Sequence, residues 1–252
     1  MQDRYAGDVG DYGKYGLLNE IYKESKGSVR LGINWFYVTR EEKQRGDGRH
    51  IGYLKDENKS KKYAACFPEL YDKLKHIVAG RRNIKEIEGG RILPKETAFY
   101  SEPIPYSSTS PFKREVDREN WFRESLSRLN NVDIIFLDPD NGIQTDKVRK
   151  TMIKAIKYVF RDEIKRYYEL GKSLIIYNHR DRKPKSEYDS KITDLSNHVN
   201  SVNDIRALRF KRVSVRDFIF LMHKEHQGLL DRTINHLTRE PFNFLFDVYD
   251  LD

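Results

Sequence analysis

The segment VDIIFLDPDNGIQ, residues 132–144, joins an unbroken apolar run to a polar turn. The run at 134–137 is too short for a helix and too uniformly apolar for a half-exposed strand, so it predicts a strand buried on both faces of a parallel sheet. Pro139 cannot donate to a sheet ladder and Gly142 permits a positive φ, so the strand should stop at Asp138. The sequence therefore predicts a central strand that delivers Asp138 to a loop.

Three polar residues follow this predicted strand, and they are the first candidates for chemistry. Ligands of open α/β sheets bind in the crevice at the carboxyl ends of the strands, where Asp138, Asp140 and Asn141 would lie. A purely structural alternative is that Asp138 and Asn141 cap a helix beginning near Asp146, because Asp and Asn do so routinely at such turns.

The chain beyond this turn predicts a second strand of the same layer. Residues 147–170 have the apolar spacing of a strong helix, and SLIIY at 173–177 has the composition of another buried strand. That strand also runs into polar residues, NHRD at 178–181. Because parallel strands joined by a helix end at the same edge of a sheet, we expect Asp138 and His179 to lie close together.

Other segments predict the rest of the sheet. SVRLGINWFYV, residues 28–38, predicts the first central strand. Residues 206–223 and 241–251 predict strands that finish the sheet, the first segment as an antiparallel pair. We therefore expect residues 1–252 to form a single-domain, three-layer α/β sandwich with a Rossmann-like, mostly parallel central sheet.

Two segments between the predicted strands have helical patterns. Residues 61–87 carry apolar residues spaced for one helix face, and residues 118–129 predict an amphipathic helix that leads into the central strand. The segment between them, residues 92–115, is rich in proline and aromatic residues. It predicts a long surface excursion, and loops of that length are often functional.

The N-terminal segment, residues 3–25, places glycines and aspartates ahead of an apolar helical pattern. Asp11 is the expected N-cap of that helix. The glycines are too many for a helix interior and predict backbone that lies close to a ligand or to another strand. No strand precedes them, which argues against a dinucleotide-binding fingerprint. Asp8 lies among these glycines and is a candidate substrate contact.

The composition is basic and aromatic. The 252 residues carry a formal net charge of +8, and 47 Lys and Arg residues are interspersed with 16 Tyr and 13 Phe residues. A basic surface with aromatic side chains suits a polyanion with stackable bases, so nucleic acid, and most simply DNA, is the expected partner. Many lysine-rich proteins have no such partner, so the charge alone leaves that alternative open.

Several classes of protein are disfavoured by the same sequence. The single cysteine, Cys66, excludes an internal disulfide and a cysteine-based zinc cluster. No apolar run approaches the ~18 residues of a membrane span, and no signal peptide is recognisable, so we expect a cytoplasmic location without a membrane partner. We expect neither a metal nor a cofactor, although Asp138 and Asp140 are of the kind that holds Mg²⁺ in nucleases.

Two segments resemble Rossmann-fold methyltransferases that act on nucleic acid, especially the J-type ribosomal RNA adenine methyltransferases. AGDVGDYGKYGLL, residues 6–18, is similar to their N-terminal Gly/Asp/Lys segment, and LDPDNG, residues 137–142, to their strand that ends in DPPY. The resemblance implies S-adenosylmethionine as a cofactor. The glycine-rich turn that admits this cofactor is replaced by LGINWFYV, residues 31–38, whose aromatic residues leave no room for it. DPDN also replaces the Pro-aromatic pair that stacks on a target adenine.

Two other segments resemble the uracil-DNA glycosylase superfamily, whose members are α/β sandwiches. GIN, residues 32–34, is similar to the first motif of its mismatch-specific branch, and LIIYNHRDRKP, residues 174–184, to the later loop that clasps a flipped nucleotide. The resemblance implies that the asparagine of GIN orients the attacking water. The Pro-Gly that follows GIN in that branch is absent, and DPDNG lies between the two motifs instead of at the first.

Hydrolysis of an N-glycosidic bond needs few groups, and this chain supplies each kind. The reaction requires a group that places water and stabilises an oxocarbenium-like sugar, and a donor for the departing base. Asp138 is expected to stabilise the sugar or activate water. Asn34 or Asn141 is expected to place water or read the base, and His179 to donate to the leaving base.

Substrate contacts are expected from aromatic, polar and basic side chains: Trp35, Tyr37, Asp8, Asp140, Asn178, Arg180, Arg182 and Lys183. The aromatic rings would stack on the extruded base, and the basic residues, together with Lys185, would hold phosphates. A solvated basic loop is the alternative explanation for the cations of residues 180–185.

The sequence thus predicts an enzyme acting on nucleic acid, most simply a DNA glycosylase-type hydrolase that excises a base, with no cofactor. The aromatic segment 92–115 makes a modified base a candidate substrate. The alternatives are an S-adenosylmethionine-dependent nucleic-acid methyltransferase, a Mg²⁺-dependent nuclease, and a nucleic-acid-binding protein without enzymatic activity, in which Asp138 serves only as a cap.

Overall fold

A computed structural model describes residues 1–39, 48–106, 108–181, 183–199, 202 and 204–251, except for the side chains of residues 57–59. The strands in these residues are β1 Leu31–Asn34, β2 Ala98–Tyr100, β3 Ile134–Leu137, β4 Gly142–Ile143, β5 Tyr158–Val159, β6 Ser173–His179, β7 Asp204–Phe210, β8 Arg216–Met222 and β9 Phe246–Tyr249. The α-helices are α1 Val9–Glu24, α2 Glu57–Cys66, α3 Pro68–Ala79, α4 Ile84–Gly89, α5 Pro111–Arg128, α6 Arg161–Glu169, α7 Lys185–Thr193, α8 Leu195–His198 and α9 Lys224–Leu237.

Within the described residues, seven strands form one sheet in the order β2-β1-β3-β6-β8-β7-β9. Strands β2, β1, β3 and β6 are parallel neighbours. Strand β8 pairs antiparallel with both β6 and β7, so β7 runs in the same direction as the parallel strands, while β9 runs with β8. The predicted fold class, an α/β sandwich with a mostly parallel central sheet, is therefore confirmed.

The sheet separates two apolar cores, one on each face. Along β3, Ile134 and Phe136 contribute to the core that contains side chains of α1, α3 and α9. Ile135 and Leu137 contribute to the other core, with side chains of α5 and α6. Successive side chains of a strand point to opposite faces, so an all-apolar strand requires cover on both sides. The run at residues 134–137 is uniformly apolar because both faces of β3 are covered by these cores.

The prediction of one helix over residues 147–170 is wrong for the first half of that range. The chain there forms a 3-10 helix at Ile153–Lys157 and then β5, which pairs parallel with β4, before α6 begins at Arg161. The backbone N–H of Asn141 donates to the carbonyl of Lys157 at 2.8 Å. This second ladder satisfies backbone groups that a helix would otherwise pair, and the apolar spacing gives no sign of it.

Other strands and helices also begin or end at residues different from those predicted. The first strand is shorter than residues 28–38, because Phe36 has a φ of 46° and turns the chain away from the sheet after Asn34. The helical segment 61–87 is three helices, and Pro68 begins the second of them because it has no backbone N–H to continue the first. The excursion at 92–115 contains the edge strand β2, and α5 begins within its last residues.

Helix α1 begins earlier than predicted. Asp8, rather than Asp11, is its N-cap, and its side chain accepts the backbone N–H groups of Gly10 and Asp11. Gly10 and Gly13 therefore lie inside a helix, which the sequence did not predict, whereas Gly7 precedes the N-cap. Their close approach to other parts of the fold is as expected: a Cβ atom at Gly13 would lie 2.6 Å from the ring of Phe210 on β7.

We expect Gly13→Ala to lower the free energy of unfolding by about 1–3 kcal/mol, the usual effect of overpacking. The Phe210 ring is fully buried and cannot move aside, so the clash outweighs the gain in helix propensity of ~1 kcal/mol. Gly228→Ala in α9 is the matched control, since its Cβ would meet only the end of the Arg232 side chain at 3.6 Å. Urea denaturation should show the control unchanged or stabilised, and equal effects of the two substitutions would contradict the packing argument.

Candidate active site

A cavity of about 390 Å³ lies beyond the carboxyl ends of β3 and β6. The N-terminal segment with α1, the turn after β3, the end of β6 and the hairpin between β7 and β8 form its wall. Charged or ionisable side chains line it from each of these parts: Asp8, Lys14, Asp138, Asp140, His179 and Arg216. The expected proximity of Asp138 and His179 is borne out, since both side chains face the same cavity.

Lys14 is the centre of the charged network. Its ammonium lies 2.8 Å from Asp138 Oδ1 and 3.1 Å from Asp11 Oδ1, and all three side chains are nearly or fully buried. It also lies 4.4 Å from the centroid of the Tyr177 ring. Burial would lower the pKa of Lys14, but Asp138 and Asp11 hold it well above its usual value. The ammonium thus supplies positive charge to two buried carboxyl groups, of which Asp11 still has its pKa raised to about 7 by burial.

The explanation that Asp138 only caps a helix is wrong. Residues 145–147 form a turn, and Asp138 accepts from Lys14 instead of from a helix terminus. The backbone N–H of Asn141 donates to the carbonyl of Lys157, the residue before β5, and Asn141 lines the cavity next to Asp140. The turn after β3 therefore presents its polar side chains to the cavity.

Two carboxyl groups of the cavity lie in opposite environments. Burial raises the pKa of Asp8 above its usual value, an effect that Lys14 only partly offsets. Burial acts in the same direction on Asp140, but its neighbours reverse the result and lower the pKa of Asp140. Those neighbours are the Met1 amino group, 3.2 Å away, and the Gln2 side-chain amide, which donates at 2.6 Å. Asp140 is consequently the more acidic of the two groups, and Asp8 holds its proton to a higher pH than an exposed aspartate does.

His179 is a neutral imidazole at ordinary pH. Burial and the nearby charge of Arg216 lower the pKa of His179 to about 2. Its ring lies edge-on to Tyr177, with the ring centroids 6.3 Å apart. The expected role of His179 as a proton donor to a leaving base is therefore a poor match to its environment. A neutral ring can still hydrogen-bond to water or to substrate.

Asn34 does not line the cavity, although it was an expected catalytic residue. Its side chain is fully buried, donates to the Tyr167 hydroxyl at 3.1 Å and accepts the backbone N–H of Phe36 at 3.0 Å. Asn34 is in register with Leu137, whose side chain faces the α5–α6 core. The amide is thus a structural brace on the face of the sheet that carries α6, and it cannot orient water in the cavity.

The expected stacking residues are also held in place elsewhere. Trp35 is fully buried, and its indole N–H donates to Glu88 at 2.7 Å. Tyr37 is partly buried, and its hydroxyl donates to Asp3 at 2.9 Å. Neither ring lines the cavity. The expected stacking of a base on Trp35 is wrong, because a fully enclosed ring has no free face.

Most polar side chains at the end of β6 and in the segment that follows form hydrogen bonds or ion pairs with nearby residues. Asn178 donates to the Tyr188 hydroxyl at 2.9 Å and accepts the backbone N–H of Ile143, so it braces β4. The described cations of this loop each have a carboxylate neighbour: Arg180 with Asp181, Lys183 with Glu187, and Lys185 with Asp189. Arg182 lies outside the described residues. The solvated alternative therefore fits this loop better than the expected phosphate contacts.

Sequence reasoning missed Lys14, Tyr177 and Arg216. A signal for Arg216 existed, because an antiparallel strand next to β6 begins at the edge where β6 ends, and Arg216 is indeed opposite His179. Arg216 has a buried Nε without a hydrogen-bond partner among the described residues. An unpaired guanidinium donor in a cavity wall is suited to an anionic ligand.

S-adenosylmethionine, which the methyltransferase resemblance implies, does not fit the crevice where it would be expected. The strand order reverses between β1 and β3, and ligands of doubly wound sheets bind at this point. Here the Met1 nitrogen donates to the carbonyls of Trp35, Phe36 and Asp138 at 2.9, 3.1 and 3.0 Å. The Met1 amino group thus lies between the ends of β1 and β3, and the residues that follow β1 are Trp35, Phe36 and Tyr37 instead of a glycine turn.

No group of three or more His, Cys, Asp or Glu side chains in the described ranges is arranged to hold a metal ion. No described helix is long and apolar enough to cross a membrane. No model of a known protein family matches the chain, and no curated protein matches it.

Proposed function

We propose that this chain is a hydrolase that cleaves the N-glycosidic bond of one nucleotide unit in a nucleic acid. The observation that carries the proposal is the pair Asp8 and Asp140, two carboxyl groups in opposite electrostatic environments that line one cavity. Environments that separate the pKa values of two carboxyl groups give the groups different roles, one as a proton donor and the other as a fixed negative charge. The proposal keeps the predicted reaction and reassigns its residues.

In this mechanism the carbon–nitrogen bond breaks with its electron pair going to the departing base. Protonated Asp8 donates its proton to that base, and ionised Asp140 stabilises the positive sugar. A water molecule, hydrogen-bonded to neutral His179, then adds to the sugar carbon. Its proton goes to the Asp8 carboxylate, which restores the starting state. The products are a free base and an abasic site.

The size and charge of the cavity suit one extruded nucleotide. Its volume, about 390 Å³, lies within the usual range of ligand pockets, roughly 300–1,000 Å³. Cationic side chains also line the cavity, namely Lys157, Arg212 and Arg216. Enzymes that act on a base inside a duplex extrude it into such a pocket, and cations hold the flanking phosphates.

The test is a strand-cleavage assay on unmodified DNA, modified phage DNA and RNA. The pure protein is incubated with each substrate in EDTA, and half of each DNA sample is then treated with alkali, which cleaves abasic sites; RNA samples are instead treated with an amine that cleaves abasic sites. Breaks that need this second treatment are expected for at least one substrate. They should disappear in Asp8→Asn and persist in Lys183→Gln, whose side chain is exposed and paired with Glu187. Absence of such breaks from every substrate would refute the proposal.

A second candidate, a nucleic-acid methyltransferase, is favoured by one contact. The bond from Lys14 to Asp138 joins the two segments that carry the methyltransferase resemblance. This function requires Met1 to leave the crevice between β1 and β3. Calorimetric titration with S-adenosylmethionine separates the two candidates: we expect no heat of binding, and saturable binding would favour the methyltransferase.

A further inference from the structure

The segment KVRKTMIKAIK, residues 147–157, is a strongly basic stretch whose last residue lines the cavity. It contains five cationic residues and no acidic one. Lys147, Arg149 and Lys154 are exposed, and their side chains have no ion pair or hydrogen bond within the described part of the chain. We call residues 147–157 the basic segment. Its unpaired cations contrast with those after β6, which have carboxylate neighbours.

The basic segment is held rigidly by the layer beneath it. Arg114 in α5 donates from Nε to the carbonyl of Thr151 at 2.7 Å. Arg118, which is almost fully buried, donates to the carbonyls of Ala155 and Tyr158 at 2.9 and 2.7 Å. These bonds fix the path of the backbone, so the exposed cations are presented from a defined surface.

Apolar side chains are exposed among these cations. Met152 is 36% exposed and Ile153 48% exposed, although both belong to the fixed part of the segment. Phe112 is 74% exposed in the first turn of α5, the same turn as Arg114. Aromatic and apolar side chains between cations are what a strand with stackable bases contacts.

The basic segment leads into the cavity. Lys157, its last residue, lines the cavity wall. The backbone N–H of Asn141 donates to the carbonyl of Lys157, which fixes this end of the segment beside the turn after β3. A chain of phosphates lying along the segment would therefore end at the proposed site.

We propose that the basic segment and the first turn of α5 bind a single nucleic-acid strand. Lys147, Arg149 and Lys154 contact its phosphates, and Phe112 with Met152 contacts its bases. The inference rests on the proposed function, because the bound strand supplies the nucleotide that enters the cavity. A nucleic acid fits better than a membrane, since the cations continue into a polar cavity that has no counterpart in a lipid surface.

The experiment measures binding and not catalysis. A fluorescent single-stranded oligonucleotide is titrated with the protein at several salt concentrations, and anisotropy gives the affinity. The test variant combines Lys147→Gln, Arg149→Gln and Lys154→Gln. The control combines Lys26→Gln, Lys75→Gln and Lys224→Gln, three exposed cations outside this surface that give the same change in net charge.

At about 0.1 M salt we expect the test variant to bind about 100-fold more weakly, with the salt slope lower by about two, because each strand contact releases about 0.7 of a counterion. The control should bind within about 3-fold of the wild type, since distant charges act weakly at this salt. Phe112→Ala should weaken binding without changing the salt slope.

Equal losses in the test and control variants would overturn the inference, as would a wild type that does not bind the strand. Loss of binding only to phosphatidylserine vesicles, with the oligonucleotide unaffected, would overturn it in favour of a membrane surface. Strand binding that depends on these cations, in a protein that releases no base, would support this inference and refute the proposed hydrolase.

Discussion

Lys14→Met is expected to lower the free energy of unfolding by about 3–5 kcal/mol, the usual cost of leaving a buried charge without its partner. Lys14 is the cation for both Asp11 and Asp138, and the exposed fractions of these two carboxylates are 0% and 2%. Methionine matches the length of the lysine stem but offers no charge. Equilibrium denaturation in urea at neutral pH measures the effect.

Two further variants distinguish this account from a general effect of substitution. Adding Asp138→Asn to Lys14→Met should recover part of the loss, because it removes one of the unpaired charges. Lys183→Met breaks an exposed ion pair with Glu187 and should cost less than ~1 kcal/mol. If Lys14→Met lowers the free energy of unfolding as little as Lys183→Met does, the ion pairs of Lys14 do not stabilise the site.

Asp8→Asn is expected to reduce the rate of base release by about 100- to 10,000-fold, the typical contribution of a positioned general acid. Asparagine caps helices about as well as aspartate, so the N-cap bonds to Gly10 and Asp11 should survive. The stability of this variant should therefore stay close to that of the wild type. Single-turnover assays, with denaturation of the same preparations, separate the two effects.

The direction in which the rate changes with pH also tests the role of Asp8 as the proton donor. The pKa of Asp8 is raised, and only the protonated carboxyl group can donate, so the wild-type rate should fall as the pH rises through that pKa. Asp140 has a lowered pKa and stays ionised throughout this range. A rate that rises with pH instead, or an Asp8→Asn variant with full activity, would contradict the role of Asp8.

The sheet was largely predictable because its central strands carry a strong local signal. The apolar runs of β3 and β6 are covered on both faces, and polar residues follow each run: Asp138 directly after β3, and Asn178 and His179 as the last two residues of β6. The helix predicted over 147–170 failed because β4 and β5 pair with each other, a contact between residues distant in sequence. The spacing of apolar residues indicates which residues are buried, but it does not indicate that β4 and β5 form hydrogen bonds with each other.

The site was predictable only in part, for a related reason. Asp138 directly follows β3 and His179 ends β6. Because the sequence predicts that these strands are parallel, it also predicts that the two residues lie close together. The face on which Asn34 points depends on the register of β1 against β3, which pairs Asn34 with Leu137 and buries both. Lys14 reaches Asp138 across 124 residues of sequence. Neither fact can be derived from one sequence without the register and the packing of α1.

The most direct test of the central claim is the identification of products by mass spectrometry after incubation of the wild-type protein with DNA and with RNA in EDTA. The proposed hydrolase predicts a free base and an equal amount of abasic sites from the same substrate, and neither product from Asp8→Asn. Free nucleotides, methylated bases or unchanged substrate in every reaction would contradict the claim that Asp8 and Asp140 line a base-excising site.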